Sequence, residues 1–209
     1  RTLAALLADP QQRLVTIVGP GGIGKTRLAL AAAHAQIAHF THGVIFVPLA
    51  AADRAEAIIP AIAASLGFSF QDDRRPSQEQ LLDYLRQRRL LLLLDNFEHL
   101  LTAIPLLIAI LEAAPGVQLL ITSRERMRLS AETLLHLGGL DLPPADVEVY
   151  AAGSYSAIDL FVQNGRRLQQ NFAPQKAMRA IAHICQLVGG MPLGILLAAS
   201  WMDVLTPAE

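Results

Sequence analysis

The chain has 209 residues, 53% of them hydrophobic and 17% charged, a composition that suits a well-packed α/β or α protein and excludes a disordered or fibrous one. Its formal net charge of −1 provides no basic excess that would draw the chain to DNA or to an anionic membrane. The single cysteine, Cys185, excludes an intrachain disulfide and is compatible with the cytoplasm, where thiols stay reduced. Because the sequence opens on Arg1 rather than methionine, we expect it to be part of a longer protein.

Short apolar runs alternate with helical patterns from residue 14 to residue 137. In chain order we predict a strand at 14–18, a helix at about 24–40, a strand at 44–47, helices at about 53–66 and 77–88, a strand at 90–94, a helix at about 98–113, and strands at 117–121 and 133–137. Five consecutive leucines fill 90–94, as expected of a central strand that is buried on both faces. Strands that alternate with helices predict an α/β fold with a parallel sheet flanked by helices and right-handed crossovers.

The last third of the chain has no further strand signal. A turn-rich segment, LGGLDLPPADVEVYAAGS at 137–154, is followed by three predicted helices near 154–170, 174–188 and 191–203. We therefore predict two domains, an α/β domain at 1–140 and a small helical domain at 141–209.

One uncharged stretch, residues 180–202, is long enough to cross a membrane. Near its middle stand polar and turn-forming residues, namely His183, Gln186, Gly189, Gly190 and Pro192. Such residues interrupt a spanning helix, so we predict two buried helices with a turn between them and no contact with a membrane.

The segment GPGGIGKT, residues 19–26, follows a predicted strand and opens a predicted helix, which is the context of a phosphate-binding P-loop. Glycines let backbone N–H groups turn inward around phosphate oxygens, and the helix N-terminus adds partial positive charge. Lys25 is one of two lysines in the chain, the other being Lys176. Its ammonium group, on a flexible side chain, can reach the β- and γ-phosphates of a nucleotide. Thr26 can offer its hydroxyl to Mg²⁺. The predicted nucleotide-contacting residues of this segment are Gly19, Pro20, Gly21, Gly22, Ile23, Gly24, Lys25, Thr26 and Arg27.

Asp95 ends the leucine strand and is the second predicted metal-site residue after Thr26. An acid in this place can help to hold Mg²⁺, and the same residue can also cap the helix that follows. Asn96 stands where a water-activating acid is expected, so we expect slow hydrolysis. Glu98 can act as the base instead, or equally as a first-turn acid that faces the helix dipole.

Arg124 follows the strand in LLITSRERMRL and is the candidate for a contact with the γ-phosphate. An arginine at this place can stabilise developing charge or report which nucleotide is bound, whereas the alternative is an ordinary solvated loop arginine. Together with Lys25, Asp95 and Glu98, it makes up the predicted catalytic set.

Four segments, in this order, resemble the STAND class of P-loop NTPases, the signal-transduction ATPases that include the NB-ARC or AP-ATPase modules. They are VTIVGPGGIGKTRLALAAA, LLLLDNFEHL, LLITSRERMRLS and ICQLVGGMPLGILLAAS. The chain looks most like bacterial members fused to transcriptional regulator domains of the LuxR or AfsR type. The element Gly190, Met191, Pro192 and Leu193 discriminates best, because a general P-loop enzyme has no need of it in a second lobe.

The resemblance implies roles for several residues. It implies a P-loop nucleotide-binding domain at 1–140, followed by a helical domain that carries the Gly-x-Pro element. It makes Asp95 the Walker B acid, Arg124 the sensor arginine and Pro192 a contact on the adenine side, with ATP or ADP and Mg²⁺ as cofactors. It also implies a switch, in which ADP holds a closed form and ATP favours an open form that associates with further copies of the full-length protein. DNA would be bound only by domains outside this chain.

Three functions are compatible with these residues. The first is a regulatory ATPase module that binds ATP and ADP with Mg²⁺ and hydrolyses ATP slowly. The second is a small-molecule kinase, in which the arginines at 86, 88 and 89 would belong to a catalytic lid. The third is a nucleotide-binding module without hydrolysis, which Asn96 supports because its amide cannot accept a proton from water.

Overall fold

A computed structural model of the chain describes residues 2–72, 74–144, 155–169, 172–204 and 207. The five strands of its sheet are β1 Leu14–Val18, β2 Val44–Pro48, β3 Leu90–Asp95, β4 Val117–Ser123 and β5 Glu132–His136. The α-helices of the described residues are α1 Leu3–Ala8, α2 Lys25–Ala35, α3 Ile58–Leu66, α4 Ser77–Arg86, α5 Ile104–Ala113, α6 Ser156–Leu168, α7 Met178–Leu187 and α8 Pro192–Ser200. Single turns of 3₁₀ helix cover Ile37–His39, Ala55–Ala57, Phe97–His99, Leu101–Ala103, Pro174–Lys176 and Trp201–Asp203.

The sheet is parallel throughout and has the strand order β2-β3-β4-β1-β5. β4 lies between β1 and β3, so that Val18 pairs with Ser123 and Leu94 pairs with Ile121. The carboxyl ends of β1, β3 and β4 therefore meet at one edge of the sheet. The predicted α/β fold, a parallel sheet flanked by helices, is confirmed.

Helix boundaries differ from the predicted ones in several places. The helix expected at 98–113 begins as two 3₁₀ turns and becomes α-helical only at Ile104, whose neighbour Pro105 is tolerated in the first turn of an α-helix but not further in. α1 has no counterpart among the predicted elements, because six residues give too short a pattern to be distinguished from a loop. The predicted helix limits at 154 and 170 lie outside the described residues.

By its internal contacts the chain divides into two units. The first unit comprises Arg1–Gly19 and Lys25–Leu137, and the second comprises Pro20–Gly24 and Gly138–Glu209. The second unit thus includes most of the glycine loop. The division into domains at 1–140 and 141–209 stays a prediction.

The first unit has one apolar cluster on each face of the sheet. Leu90, Leu92 and Leu94 pack with α3, α4 and α5, whereas Leu91 and Leu93 pack with α1 and α2. Side chains of a strand alternate between faces, so an unbroken leucine run supplies both clusters from a single strand. Residues 90–94 are buried, and Asp95 is the partly exposed residue that ends β3 at the carboxyl edge of the sheet.

The helices α6, α7 and α8 of the second unit surround an apolar cluster that includes Phe161, Cys185 and Ile195. Ahead of α8 the chain turns through Gly189 and Gly190, which have φ of 59° and 67°. Both lie in the left-handed region, where glycine is favoured because it has no Cβ. The turn closes α7 and lets α8 start at Pro192, at the first helical position where a missing N–H costs nothing.

None of the helices in the described part of the chain combines the length and the apolar character that a membrane span requires.

Candidate functional site

The edge of the sheet where β1, β3 and β4 end carries most of the predicted polar residues of the first unit. Gly19 follows β1, Asp95 ends β3, and Arg124 follows β4. The N–H of Gly19 donates to the carbonyl of Ser123 at 3.3 Å, which ties the start of the glycine loop to the end of β4. Residues far apart in sequence are thereby brought to one place.

The carboxylate of Asp95 is held by two hydroxyl groups. Thr26 Oγ1 donates to Asp95 Oδ1 at 2.7 Å, and Thr122 Oγ1 donates to the same oxygen at 2.6 Å. Thr122 is fully buried in β4 and in turn accepts the backbone N–H of Asn96 at 3.0 Å. This chain of hydrogen bonds fixes the orientation of the acid and joins it to the first turn of α2.

Lys25 is buried, with 7% of its surface exposed, and its Nζ donates to the carbonyl of Gly19 at 2.8 Å. Burial is the largest influence on its ammonium group and lowers the pKa of Lys25. Glu98 opposes this shift, Arg124 adds to it, and Asp95 opposes it, so all three charges act on the lysine. The structure therefore brings Lys25, Asp95, Glu98 and Arg124 into one electrostatic group.

Glu98 and Arg124 form an ion pair, with Arg124 Nε 3.1 Å from Glu98 Oε1. The side chain of Glu98 is 17% exposed and that of Arg124 is 64% exposed. The second oxygen of Glu98, Oε2, is buried and has no hydrogen-bond partner within the described residues. A buried carboxylate oxygen without a partner is costly, which makes this atom a candidate acceptor for an O–H or N–H group of a ligand.

Asn96 has φ 69° and ψ 50°, in the left-handed region where asparagine is more common than most residues. This residue turns the chain from β3 into the 3₁₀ turn Phe97–His99. The turn carries Glu98 towards Arg124, while Nε2 of His99 lies 3.1 Å and 2.6 Å from the carbonyl oxygens of Leu49 and Ala52. His99 thus contacts the backbone of the loop after β2. It is not among the charged residues that act on Lys25.

The glycine loop of the second unit keeps its backbone N–H groups open. Gly22 and Gly24 have φ of 77° and 98°, and within the described residues the N–H groups of residues 21–24 donate no hydrogen bond. Consecutive N–H groups without internal partners are what a phosphate-binding loop requires. The loop therefore fits a polyphosphate group, and the oxygens of Thr26 and Asp95 fit Mg²⁺, which prefers oxygen ligands.

α8 touches the glycine loop inside the second unit. The N–H of Leu193 donates to the carbonyl of Gly22 at 3.2 Å, and a Cβ built on Gly22 would lie 2.8 Å from Leu193 Cβ. Pro192 precedes this contact as the first residue of α8. At the other end of the turn, the N–H of Leu140 donates to the carbonyl of Gly190 at 2.8 Å. The Gly-x-Pro element is thus fixed by backbone contacts on both sides.

The remaining predicted residues make fewer contacts. The side chain of Arg27 is exposed on α2 and has no hydrogen bond or ion pair within the described residues. No group of three or more His, Cys, Asp or Glu side chains that could hold a metal ion occurs in the described part of the chain. A metal at Thr26 and Asp95 would therefore take further ligands from a phosphate or from water, as Mg²⁺ commonly does.

The arginines before β3 have partners on α4. Arg86 lies 3.4 Å from Asp83 Oδ1, and the guanidinium carbon of Arg88 lies 4.3 Å from the centre of the Tyr84 ring. These contacts are those of basic residues at the end of a surface helix, here α4. They give no support to a catalytic lid of the kind that a small-molecule kinase would need.

Two functional candidates were missed at the level of the sequence. Thr122 looks like a strand residue, and its polar character inside the apolar run VQLLITS was the only available signal. Leu193 was identified only as part of the Gly-x-Pro element, and its contact with Gly22 follows from the fold alone.

Residues 1–131 match the NB-ARC domain family. The chain is 32% identical over 209 residues to a Mycobacterium tuberculosis protein named as an HTH-type transcriptional regulator, Rv0890c, a match that covers 99% of this chain and 22% of that protein. It is 30% identical over 194 residues to the regulatory protein AfsR of Streptomyces griseus, covering 88% of this chain and 18% of AfsR. The chain thus spans about a fifth of the length of the regulators it matches.

A solved structure shares the fold. The ORC2 protein of Aeropyrum pernix, in its ADPNP-ADP complexes, matches with a TM-score of 0.60 and 18% identity, over 99% of this chain and 63% of that chain. At this identity the likeness concerns the arrangement of strands and helices alone. The family match covers more than half of the 209 residues and includes the glycine loop, Asp95 and Arg124. The chain belongs to the NB-ARC domain family.

Proposed function

We propose that this chain binds ATP and ADP with Mg²⁺ and acts as a nucleotide-dependent switch in a signal-responsive transcriptional regulator, with slow hydrolysis of ATP. The proposal depends above all on the hydrogen bonds that join Thr26, Asp95 and Thr122. Membership of the NB-ARC family, the similarity to two regulators and the adenine nucleotides of the ORC2 structure support it.

Each proposed role follows from the chemistry of a side chain. The N–H groups of residues 21–24 and the ammonium group of Lys25 would bind the phosphates, because the N–H groups donate hydrogen bonds and the ammonium group adds positive charge. Thr26 and Asp95 would hold Mg²⁺, whose chemistry is to neutralise phosphate charge. Pro192 would contact the adenine side. Arg27, in the first turn of α2, remains a candidate contact.

Hydrolysis would depend on a base beyond Asp95. The amide of Asn96 can orient water but cannot accept its proton, and Glu98 is the nearest candidate carboxylate in the chain sequence. Its oxygen Oε1 is engaged with Arg124, which leaves Oε2 as the available acceptor. This arrangement favours slow turnover, and it also gives weight to a second candidate function, nucleotide binding without hydrolysis.

The change Lys25→Ala tests nucleotide binding. We expect the affinity for ADP and ATP to fall by about ten- to a hundredfold, the usual effect of losing charge-assisted hydrogen bonds of about 1.5–3 kcal/mol in total. Isothermal titration calorimetry in the presence of Mg²⁺ measures the affinity. The matched control is Lys176→Ala, which removes an exposed lysine and should bind like the wild type. Unchanged affinity in Lys25→Ala would contradict the proposal.

Single-turnover hydrolysis separates the two candidate functions. Purified protein in excess over radiolabelled ATP and Mg²⁺ is followed for many hours, and the fraction converted to ADP is measured. Slow but complete conversion supports the ATPase, whereas full retention of ATP supports the binding module. The nucleotide released from the purified protein on denaturation shows which state is preferred.

A further inference from the structure

The Glu98–Arg124 ion pair is asymmetric. Glu98 is largely buried and is carried by the 3₁₀ turn Phe97–His99, next to the fully buried Phe97. Arg124 lies beyond the end of β4, and 64% of its side chain is exposed. The arginine can therefore change partner without any rearrangement of the core, whereas the glutamate cannot.

The pair is also weak enough to be exchanged. An ion pair with an exposed member contributes little, because water screens the charges and the long side chain loses freedom when it is held. A terminal phosphate offers several charged oxygens to the fork of a guanidinium and is a stronger acceptor than one carboxylate oxygen. A phosphate within reach of Arg124 would thus compete successfully with Glu98.

The backbone places the pair near Lys25, the residue proposed to contact the terminal phosphates. Arg124 directly follows Ser123, whose carbonyl accepts the N–H of Gly19 at 3.3 Å, and the carbonyl of Gly19 accepts Nζ of Lys25 at 2.8 Å. The carboxylate and the guanidinium therefore lie near the place where a γ-phosphate would bind. Their position distinguishes this pair from the exposed pair of Arg54 with Asp53 and from that of Arg75 with Asp83.

We infer that Glu98 is a positioning residue that holds Arg124 away from the nucleotide until a γ-phosphate is present, so that the pair discriminates triphosphate from diphosphate. The inference rests on the proposed function. With a diphosphate, Arg124 stays on Glu98. With a triphosphate, the guanidinium exchanges the carboxylate for γ-phosphate oxygens, and both oxygens of Glu98 become acceptors. The same exchange would release Glu98 only when a hydrolysable nucleotide is bound.

A double-mutant cycle tests the exchange. The affinities of ADP and of the non-hydrolysable analogue AMP-PNP, with Mg²⁺, are measured by calorimetry for the wild type, Glu98→Gln, Arg124→Ala and the double variant. In Glu98→Gln the arginine no longer has a charged partner, so we expect AMP-PNP to bind about two- to fivefold more tightly relative to ADP, as expected of an ion pair with one exposed member. In the Arg124→Ala background the same change should leave the ratio of the two affinities unaltered.

The control variant is Glu125→Gln, which removes the same charge from the next residue. The side chain of Glu125 is exposed and has no ion pair within the described residues, so its ratio of affinities should equal that of the wild type. An equal change for both nucleotides in Glu98→Gln, or an effect that persists without Arg124, would overturn the inference while the proposed function stands. Absence of binding of either nucleotide to the wild type would overturn both.

Discussion

The hydroxyl groups around Asp95 decide which way the acid faces. Thr26 and Thr122 both donate to Oδ1, so hydrogen bonds within the protein orient this oxygen. Thr122 also accepts the N–H of Asn96 and thereby couples the residue after the acid to β4. A carboxylate that is partly removed from water needs donors, and two threonines supply them at Oδ1. Asp95 and Asn96, which follows it in the left-handed conformation, are therefore held together by the same hydrogen bonds.

Asn96→Asp is expected to accelerate hydrolysis. Aspartate tolerates the left-handed backbone at φ 69° much as asparagine does, so the fold should be kept. The new carboxylate can accept a proton from water. General bases typically accelerate a reaction by about 10²–10⁴-fold. We expect a smaller acceleration here, about ten- to a hundredfold, because the geometry around this base was not optimised for hydrolysis. Single-turnover release of phosphate measures the rate.

Asn96→Gly is the control for this change. Glycine accepts the same backbone conformation and brings no base, so its rate should not exceed that of the wild type. If Asn96→Asp binds ATP normally and hydrolyses it no faster than wild type, position 96 does not face the attacking water.

The contact between α8 and the glycine loop links two elements of the second unit that are far apart in the sequence. Backbone donates to backbone between Leu193 and Gly22, and the side chain of Leu193 fills the space that a Cβ on Gly22 would need. A glycine at 22 is thus required twice, once for its positive φ and once for the close approach of the helix. Gly24 has positive φ as well, but a Cβ there would meet nothing within 4 Å.

Gly22→Ala should destabilise the chain more than Gly24→Ala. Both changes force alanine into the left-handed region, at a cost of about 1 kcal/mol or more. Only the first also drives a Cβ to 2.8 Å from Leu193 Cβ and 2.9 Å from Cδ2, and such overpacking adds about 1–3 kcal/mol. The free energy of unfolding in urea, measured without nucleotide, gives the difference between the two variants.

Leu193→Ala provides the second half of this test. It removes Cδ2 and Cγ, two of the three atoms that crowd a Cβ on Gly22, so it should recover part of the loss in Gly22→Ala and none of the loss in Gly24→Ala. Strictly additive effects in both backgrounds would show that the helix does not press on the loop in solution.

At the scale of the whole molecule, the sequence predicted what depends on local pattern. The leucine run of β3, the glycine loop and the alternation of strands with helices led to the parallel sheet and to the position of Asp95 at its edge. The partners of the side chains were beyond reach, because they depend on which strands lie side by side. β4 lies between β1 and β3, and this order alone brings Thr122 to Asp95 and Arg124 to Glu98.

The start of α5 illustrates the other limit. Apolar periodicity continued back to residue 98, but the turn at Asn96 and the proline at position 105 leave only 3₁₀ turns before Ile104. Glu98 therefore lies on a short 3₁₀ turn and not in the first turn of a long helix. The alternative of a first-turn acid therefore concerns a single 3₁₀ turn, whose dipole is smaller than that of a long α-helix.

The stability of the molecule should fall at alkaline pH through Cys185. Burial raises the pKa of its thiol from an ordinary 9.0 to about 11. Below pH 9 the folded and unfolded chains both keep the proton, so the contribution of the thiol to stability is fully present. Between pH 9 and 11 only the unfolded chain loses it, and the free energy of unfolding should drop by up to about 1.4 kcal/mol per pH unit.

Cys185→Ala isolates this contribution from other groups that titrate in the same range. The variant loses packing in the α6–α8 cluster, which lowers its stability by a similar amount at every pH. Its free energy of unfolding in urea, measured at pH 8, 9, 10 and 10.5, should therefore decline less steeply than that of the wild type above pH 9. Parallel curves for the two proteins would mean that the thiol ionises as easily in the folded chain as in the unfolded one, and that the helices open to water around it.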